Sequence, residues 1–310
     1  MRIRNVFAKG HRSGPHVPIA ADAAAALSLS RVCNLEDFAH PALRETIRAV
    51  FPHDCERFGA DFPIGREYRK HWEVALAVKT LTDLGAVRDD AEILGVGAGN
   101  EPTLFWLTNR VRRVFATDRY LIGDDWTTAV QGAMLVDPAR HWPSAWNPRR
   151  LVVQHMNPLD LRFENNSIDG IFTCDTIEHL PRALDVRRAM AEMYRVLKPG
   201  GVLSLATQFR LTGPAPGMPG TLLFNEDELH EKILGGQPWE LAEPFDPAIS
   251  EATLATAVDF HEATAEVDQH LRAYGQLLHH RLEWSRYPHL VLRAEAWTWT
   301  SAHLALRKPR

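Results

Sequence analysis

The sequence predicts an α/β fold, a mostly parallel, doubly wound sheet with helices on both faces, preceded by a helical cap. Three observations carry the expectation. From residue 92 onward, short β-rich runs alternate with helix-like segments, and such a βαβα order closes into a parallel sheet through right-handed crossovers. The chain has 310 residues, enough for one such domain with insertions or for two domains. Its composition, 45% hydrophobic and 24% charged, suits a protein that folds by burying a core and excludes a disordered chain, a collagen-like repeat and a disulfide scaffold.

Residues 1 to about 65 are rich in Pro, Gly and His, with one short helix expected from His40 to Phe51 that puts Leu43, Ile47 and Val50 on one face. From Arg66 to Leu84, apolar residues including Tyr68, Trp72, Leu76 and Leu81 recur near helical spacing, and Gly85 stops the helix. Strands follow at Glu92 to Val96, Val114 to Thr117, Leu151 to Gln154, Ile168 to Cys174 and Gly201 to Ala206. The links include helices at Glu101 to Asn109, with Pro102 in the first turn where its missing N–H costs little, and at Arg182 to Leu197. Two stretches are longer than a connection needs: Leu121 to Arg150, and the Gly/Pro run Gly213 to Gly220, which suits a lid hinge. Asn225 with Glu228 caps a short helix to Leu234, and Trp239 to Ala242 reads as a strand. Ser250 to Glu283 reads as one or two helices inserted before a last strand, Trp299 to Arg307. The expected division is a cap and lead-in helix over 1–88, a core over 89–246 and 297–310, and a helical insertion over 247–296 that serves as a substrate lid.

Charge and cysteines narrow the function. A net charge of −4 leaves no global positive field to gather nucleic acid or an anionic membrane. No apolar run approaches the ~20 residues of a membrane helix, and the basic start (Arg2, Arg4, Lys9, Arg12) lacks the apolar segment and cleavage site of a targeting peptide. Three cysteines without CxxC spacing point to a reducing compartment, hence a cytoplasmic location, and away from a thiolate zinc site.

The chemistry concentrates in "EILGVGAGNE", where a strand runs into Gly95, Gly97 and Gly99 and then a helix. Glycines at a strand-to-helix turn let the backbone approach a nucleotide-like ligand at the carboxyl end of a sheet. Asp118 ends the next strand, 21 residues after Gly97, where a carboxylate accepts both ribose hydroxyls. Together they point to an adenosine-containing cofactor, either a dinucleotide or S-adenosylmethionine. A pyrophosphate wants a bare helix N-terminus, whereas here Asn100 and Glu101 stand at the turn. An acid there repels phosphate and tolerates a sulfonium, which tilts the choice to S-adenosylmethionine.

Four segments, "EILGVGAGN", "VFATD", "MNPLDLRFENNSIDGIFTCDTIEHL" and "RVLKPGGVLSLAT", resemble in content and order the class I S-adenosylmethionine-dependent methyltransferases of small-molecule type, over roughly Glu92 to Ala206. The resemblance implies a Rossmann-like, seven-stranded sheet with an antiparallel last strand. It also implies that Gly95, Val96, Gly97, Gly99 and Asn100 line the methionine part of the cofactor, that Asp118 holds the ribose, and that Arg119, Met156 and Asn157 flank the adenine. Cys174 and Asp175 then border the sulfur end, where the acceptor arrives; Cys174 reads as a packing residue, with no basic neighbour to activate it.

Methyl transfer from a sulfonium requires alignment and desolvation. For a hydroxyl acceptor His179 is the candidate base. Asp175, Glu178 and His179 also resemble half of the metal site of some relatives, but no further ligand follows, so no metal is expected. Trp126, Trp142 and Trp146 are candidates for stacking on the acceptor. The expected partner is a small-molecule or carbohydrate acceptor, methylated on oxygen in preference to nitrogen or carbon. The competing readings are a cofactor-binding subunit that has lost catalysis and an NAD-linked oxidoreductase.

Overall fold

The computed structural model describes residues 27–121 and 132–310; Trp126 lies outside them. The first three α-helices among the described residues are α1 (Pro41–Val50), α2 (Pro52–Phe58) and α3 (Arg69–Asp83). The core follows as β1 (Glu92–Val96), α4 (Pro102–Leu107), β2 (Arg113–Asp118), β3 (Leu151–His155), β4 (Ile168–Cys174), α5 (Ala183–Val196) and β5 (Leu197–Thr212). Helix α6 (Phe260–Tyr274), β6 (Leu292–Ala294) and β7 (Trp297–Arg307) complete the fold.

In space the strands run β6-β7-β5-β4-β1-β2-β3, with β1 to β5 parallel to one another and β7 antiparallel to both neighbours. The expected mostly parallel sheet with an antiparallel last strand is therefore present, although its strand count differs, since β6 is not among the expected strands and the expected strand at Trp239 to Ala242 shrinks to two residues. Two-residue strands at Arg31–Val32, Glu240–Leu241 and Val258–Asp259 extend the sheet to ten.

Successive side chains of a strand point to opposite faces, and in β1 this sends Leu94 and Ile93 into different cores. Leu94 joins Ile171, Leu203, Leu205 and the α5 residues Val186 and Met190. Ile93 joins Val114, Phe172 and the α4 residues Leu104 and Phe105. A third cluster holds the cap to the sheet, through Leu43 and Ile47 of α1 and Trp72 and Leu76 of α3. Trp72 is fully buried and its indole N–H donates to the Asp37 carboxylate at 2.8 Å, so its one polar atom is satisfied.

Two expectations need correction. The segment 247–296 is not a helical insertion throughout: helix occupies Glu251–Leu254 and Phe260–Tyr274, Gly275 at φ 71° ends the second, and the chain then runs irregularly to β6. A left-handed glycine at this place is a helix stop, and it overrides the apolar stripe that continues through Leu278 and Leu282. Trp142 stacks on Phe105 in the core at 5.5 Å and is 5% exposed, so its indole offers no open face for stacking an acceptor, whereas Trp146 is half-buried and meets the same ring edge-on at 5.2 Å.

Candidate active site

The site lies at the carboxyl ends of β1, β2, β3 and β4. Gly97 and Gly99, at φ 62° and 47°, turn the chain from β1 toward α4 in a conformation that a side chain resists. At Gly97 there is also no room: an added Cβ would sit 2.1 Å from the Thr176 methyl. Gly95 has another role, since its missing side chain lets Phe172 and Ala98 close over β1, and Val96 is buried in the core. Both therefore offer only backbone to a ligand.

The Gly99 N–H donates to one Asp118 oxygen at 2.9 Å and the Arg119 N–H to the other at 2.6 Å. The carboxylate is thus fixed at the end of β2 while each oxygen keeps acceptor capacity, as two ribose hydroxyls require. Burial pushes the Asp118 carboxyl up, and the two amides oppose that shift. Met156 follows β3 and donates its N–H to the Asp118 carbonyl oxygen at 2.9 Å, which brings its side chain and Asn157 alongside. The Asn157 side-chain oxygen accepts from the Leu159 N–H at 3.0 Å and, on an exposed residue, has a second lone pair for an adenine amino group. These residues fit an adenosine moiety.

The expected acid at the turn has a different partner. Glu101 is buried and its carboxylate faces Lys70 Nζ at 3.7 Å, so the charge that answers it comes from α3 of the same chain. Burial pushes the Glu101 carboxyl up to about 8, with Lys70 pulling the other way. The same ammonium lies 2.7 Å from Asp175 and 2.6 Å from Glu73. Arg69 meets Glu73 at 3.1 Å and Asp175 at 3.3 Å. Burial alone would raise the Asp175 carboxyl, yet Lys70 and Arg69 hold it well below the carboxylate range. Glu73 and Glu178 are raised, first by burial and then by the Asp175 charge.

Asn100 is buried and its amide nitrogen lies 2.9 Å from both the Leu277 carbonyl and His141 Nδ1, so it ties the turn to the segment after α6 instead of facing a methionine chain. Cys174 is 2% exposed, and burial lifts its thiol well above the ordinary value, as expected of a packing residue. His179 sits exposed on the 3-10 turn Ile177–His179, against the Gly220 backbone. Glu178 points the other way, into the core, where it accepts from Thr207 Oγ1 at 3.0 Å. No group of three or more metal-ligating side chains forms among the described residues.

Sequence reasoning missed Arg69, Lys70 and Glu73, which it read as part of a lead-in helix. A signal was present: two bases with an acid three and four positions on, inside an otherwise apolar helix, mark an ion pair that the fold buries.

The sheet order and glycine turn define a Rossmann-like domain of the class I methyltransferase kind. Residues 94–205 match the family described as "Methyltransferase domain". Among solved structures, a protein of Galdieria sulphuraria assigned as a sarcosine dimethylglycine methyltransferase is similar over 77% of this chain and 85% of its own, at 15% identity and a TM-score of 0.50. The geranyl diphosphate C-methyltransferase of Streptomyces coelicolor A3(2) aligns over 76% and 79% at 15% identity and a TM-score of 0.44. Phosphoethanolamine N-methyltransferase 2 of Haemonchus contortus aligns over 92% and 61% at 16% identity and a TM-score of 0.47. No helix among the described residues is long and apolar enough to cross a membrane.

Proposed function

We propose that the chain methylates a small molecule or glycan, on oxygen, with S-adenosylmethionine as donor. The observation that carries this reading is the left-handed Gly97–Gly99 turn pinned through the Gly99 N–H to Asp118, inside the segment that matches the methyltransferase domain. Asp118 would hold the ribose, Met156 and Asn157 the adenine, and the Gly97–Gly99 backbone the methionine portion. The bound cofactor supplies an electrophilic methyl group on a sulfonium. The chain's own part is to align the acceptor and exclude water, since transfer to a neutral leaving group gains most from placement and desolvation. The free thiols of Cys33, Cys55 and Cys174 support a reducing, cytoplasmic setting.

Calorimetric titration with S-adenosylhomocysteine and, separately, NAD tests this reading. Micromolar binding of the former, weakened at least tenfold (about 1.4 kcal/mol) by Asp118→Ala, is the expected result. Preference for NAD, or no binding of either, would overturn it.

A further inference from the structure

Residues 276–282 follow the left-handed Gly275 that ends α6 and lie against the cofactor turn without forming a strand or helix. Among the described residues their main chain makes two hydrogen bonds outside the segment. The Leu277 carbonyl accepts from the side-chain amide of Asn100, the residue after Gly99, at 2.9 Å, and the Leu278 N–H donates to Nε2 of His270 in α6 at 3.1 Å. The same Asn100 nitrogen lies 2.9 Å from Nδ1 of His141, at the end of the 3-10 turn Pro138–His141. Asn100, His141 and His270 are all buried.

These contacts fix the state of two rings. An amide nitrogen facing a carbonyl has only hydrogens to offer, so His141 Nδ1 must present its lone pair to Asn100, and His270 Nε2 must present its own to the Leu278 N–H. In each ring the proton sits on the other nitrogen, and a second proton would fall on the acceptor and break the bond. The surroundings resist that proton. Burial pushes His141 down to about 4, with Arg140 and His280 adding to the shift and Asp137 opposing it. Burial also lowers His270, which faces His280 and Arg281. Two more imidazoles ride on the segment itself. His279, pushed down to about 3 by burial, meets Lys70 and His71 of α3 as well as His141 and His280. His280, lowered by burial, faces Asp54 and Arg57 of α2 and its own neighbour Arg281, with the His53 ring 5.6 Å away.

We propose that residues 276–282 are an acid-released strap on the cofactor turn, shut while His141 and His270 each lend a ring nitrogen as acceptor, opened when those rings take a second proton, and held shut by bound cofactor. The last clause rests on the methyltransferase reading above; the strap and its release do not. Opening frees Asn100, and with it the turn whose Gly99 N–H fixes Asp118. Above about pH 7 the rings are neutral whether the strap is shut or open. Below about pH 6.5 the open state takes up protons that the shut state excludes, so opening grows as pH falls. Each ring that is neutral only in the shut state multiplies the opening constant by about ten between pH 7.5 and 5.5, and the two acceptors together by about 100.

Hydrogen–deuterium exchange of the full chain at pH 7.5, 6.5 and 5.5, with rates corrected for intrinsic chemistry, tests the strap. Amides of residues 276–282 should open about 100-fold more at pH 5.5 than at pH 7.5, and those of β1 far less. His141→Asn and His270→Gln each put an amide oxygen where a ring nitrogen accepts, with nothing to titrate. Each alone should remove about tenfold of the rise, and the pair about 30-fold or more. No rise in the wild type, an equal rise in the variants, or a rise matched by β1 would overturn the proposal. S-adenosylhomocysteine at ten times its Kd should slow strap exchange about tenfold at pH 6.5. Unslowed exchange in protein that binds it would overturn the coupling to the turn. Failure to bind it would be the failure of the methyltransferase reading instead, and the pH series would still decide the strap.

Discussion

Replacing Glu101 by Gln should make the protein more stable at neutral pH, by an amount that grows with pH. In the folded chain burial pushes the Glu101 carboxyl from its ordinary 4.5 up to about 8. Between those values the folded state keeps a proton that the unfolded chain has released, so the group's contribution is complete below pH 4.5 and lost as pH rises through 8. The loss runs at about 1.4 kcal/mol per pH unit. That amounts to about 3 kcal/mol at pH 7 and levels off at about 4–5 kcal/mol above pH 8. Gln has the shape of the protonated side chain and no proton to lose, and its amide oxygen still faces Lys70. Urea melts of both proteins at pH 5, 6, 7 and 8 read the difference directly, because Glu73 and Glu178 titrate in both. The advantage of Gln should be under about 1 kcal/mol at pH 5 and widen steadily. A difference that is flat across the series, or a variant that loses ground as pH rises, would show that Glu101 is ionised in the folded protein and would refute the reasoning.

Two further outcomes follow from the turn. Gly97→Ala places a Cβ at a φ of 62° and 2.1 Å from the Thr176 methyl, whose hydroxyl lies 3.2 Å from the Gly97 carbonyl. Left-handed strain and the loss of that contact should together cost about 2–4 kcal/mol in urea unfolding and weaken S-adenosylhomocysteine; wild-type stability would mean that the turn relaxes freely. Asn100→Ala removes the amide that holds Leu277, so trypsin should cut at Arg281 and Arg286 about tenfold faster while the melting midpoint shifts little; an unchanged cleavage rate would show that the segment is held by its own packing.

Where the sequence is read correctly, local chemistry is the reason. Strands β1 and β4 lie where expected, Glu92–Val96 and Ile168–Cys174, because both are buried on two faces and end at a sharp turn. Strand β6 escaped because it has three residues and returns at once through Glu295, at φ 49°, into β7. Strand β5 runs six residues past the expected Ala206, to Thr212, because pairing with β7 carries Gln208 and Arg210, whose polar side chains break the apolar pattern that marks a strand. The adenosine side of the site was legible in the same way: Asp118 meets Gly99 only 19 residues away, across one βαβ unit. Its polar heart was not, since Lys70 meets Asp175 across 105 residues of chain, and no spacing rule connects them.

That long-range pair also decides how the cap should be regarded. Asp175, Glu73, Glu101 and Glu178 crowd one buried volume, and four ionised carboxylates there would repel one another strongly. Two devices relieve this. Burial pushes the Glu101 carboxyl up to about 8 and lifts Glu178 well above the ordinary carboxylate value, and α3 supplies the only two cations that pair with Asp175 among the described residues, Lys70 and Arg69. Helix α3 lies over β4, β5 and β7, and α1 packs on its outer side, so the cations cannot be withdrawn without also opening the apolar cluster around Trp72. The helices ahead of the methyltransferase segment are therefore part of its electrostatics. A chain trimmed to the matched residues 94–205 would leave Asp175 without a counter-ion.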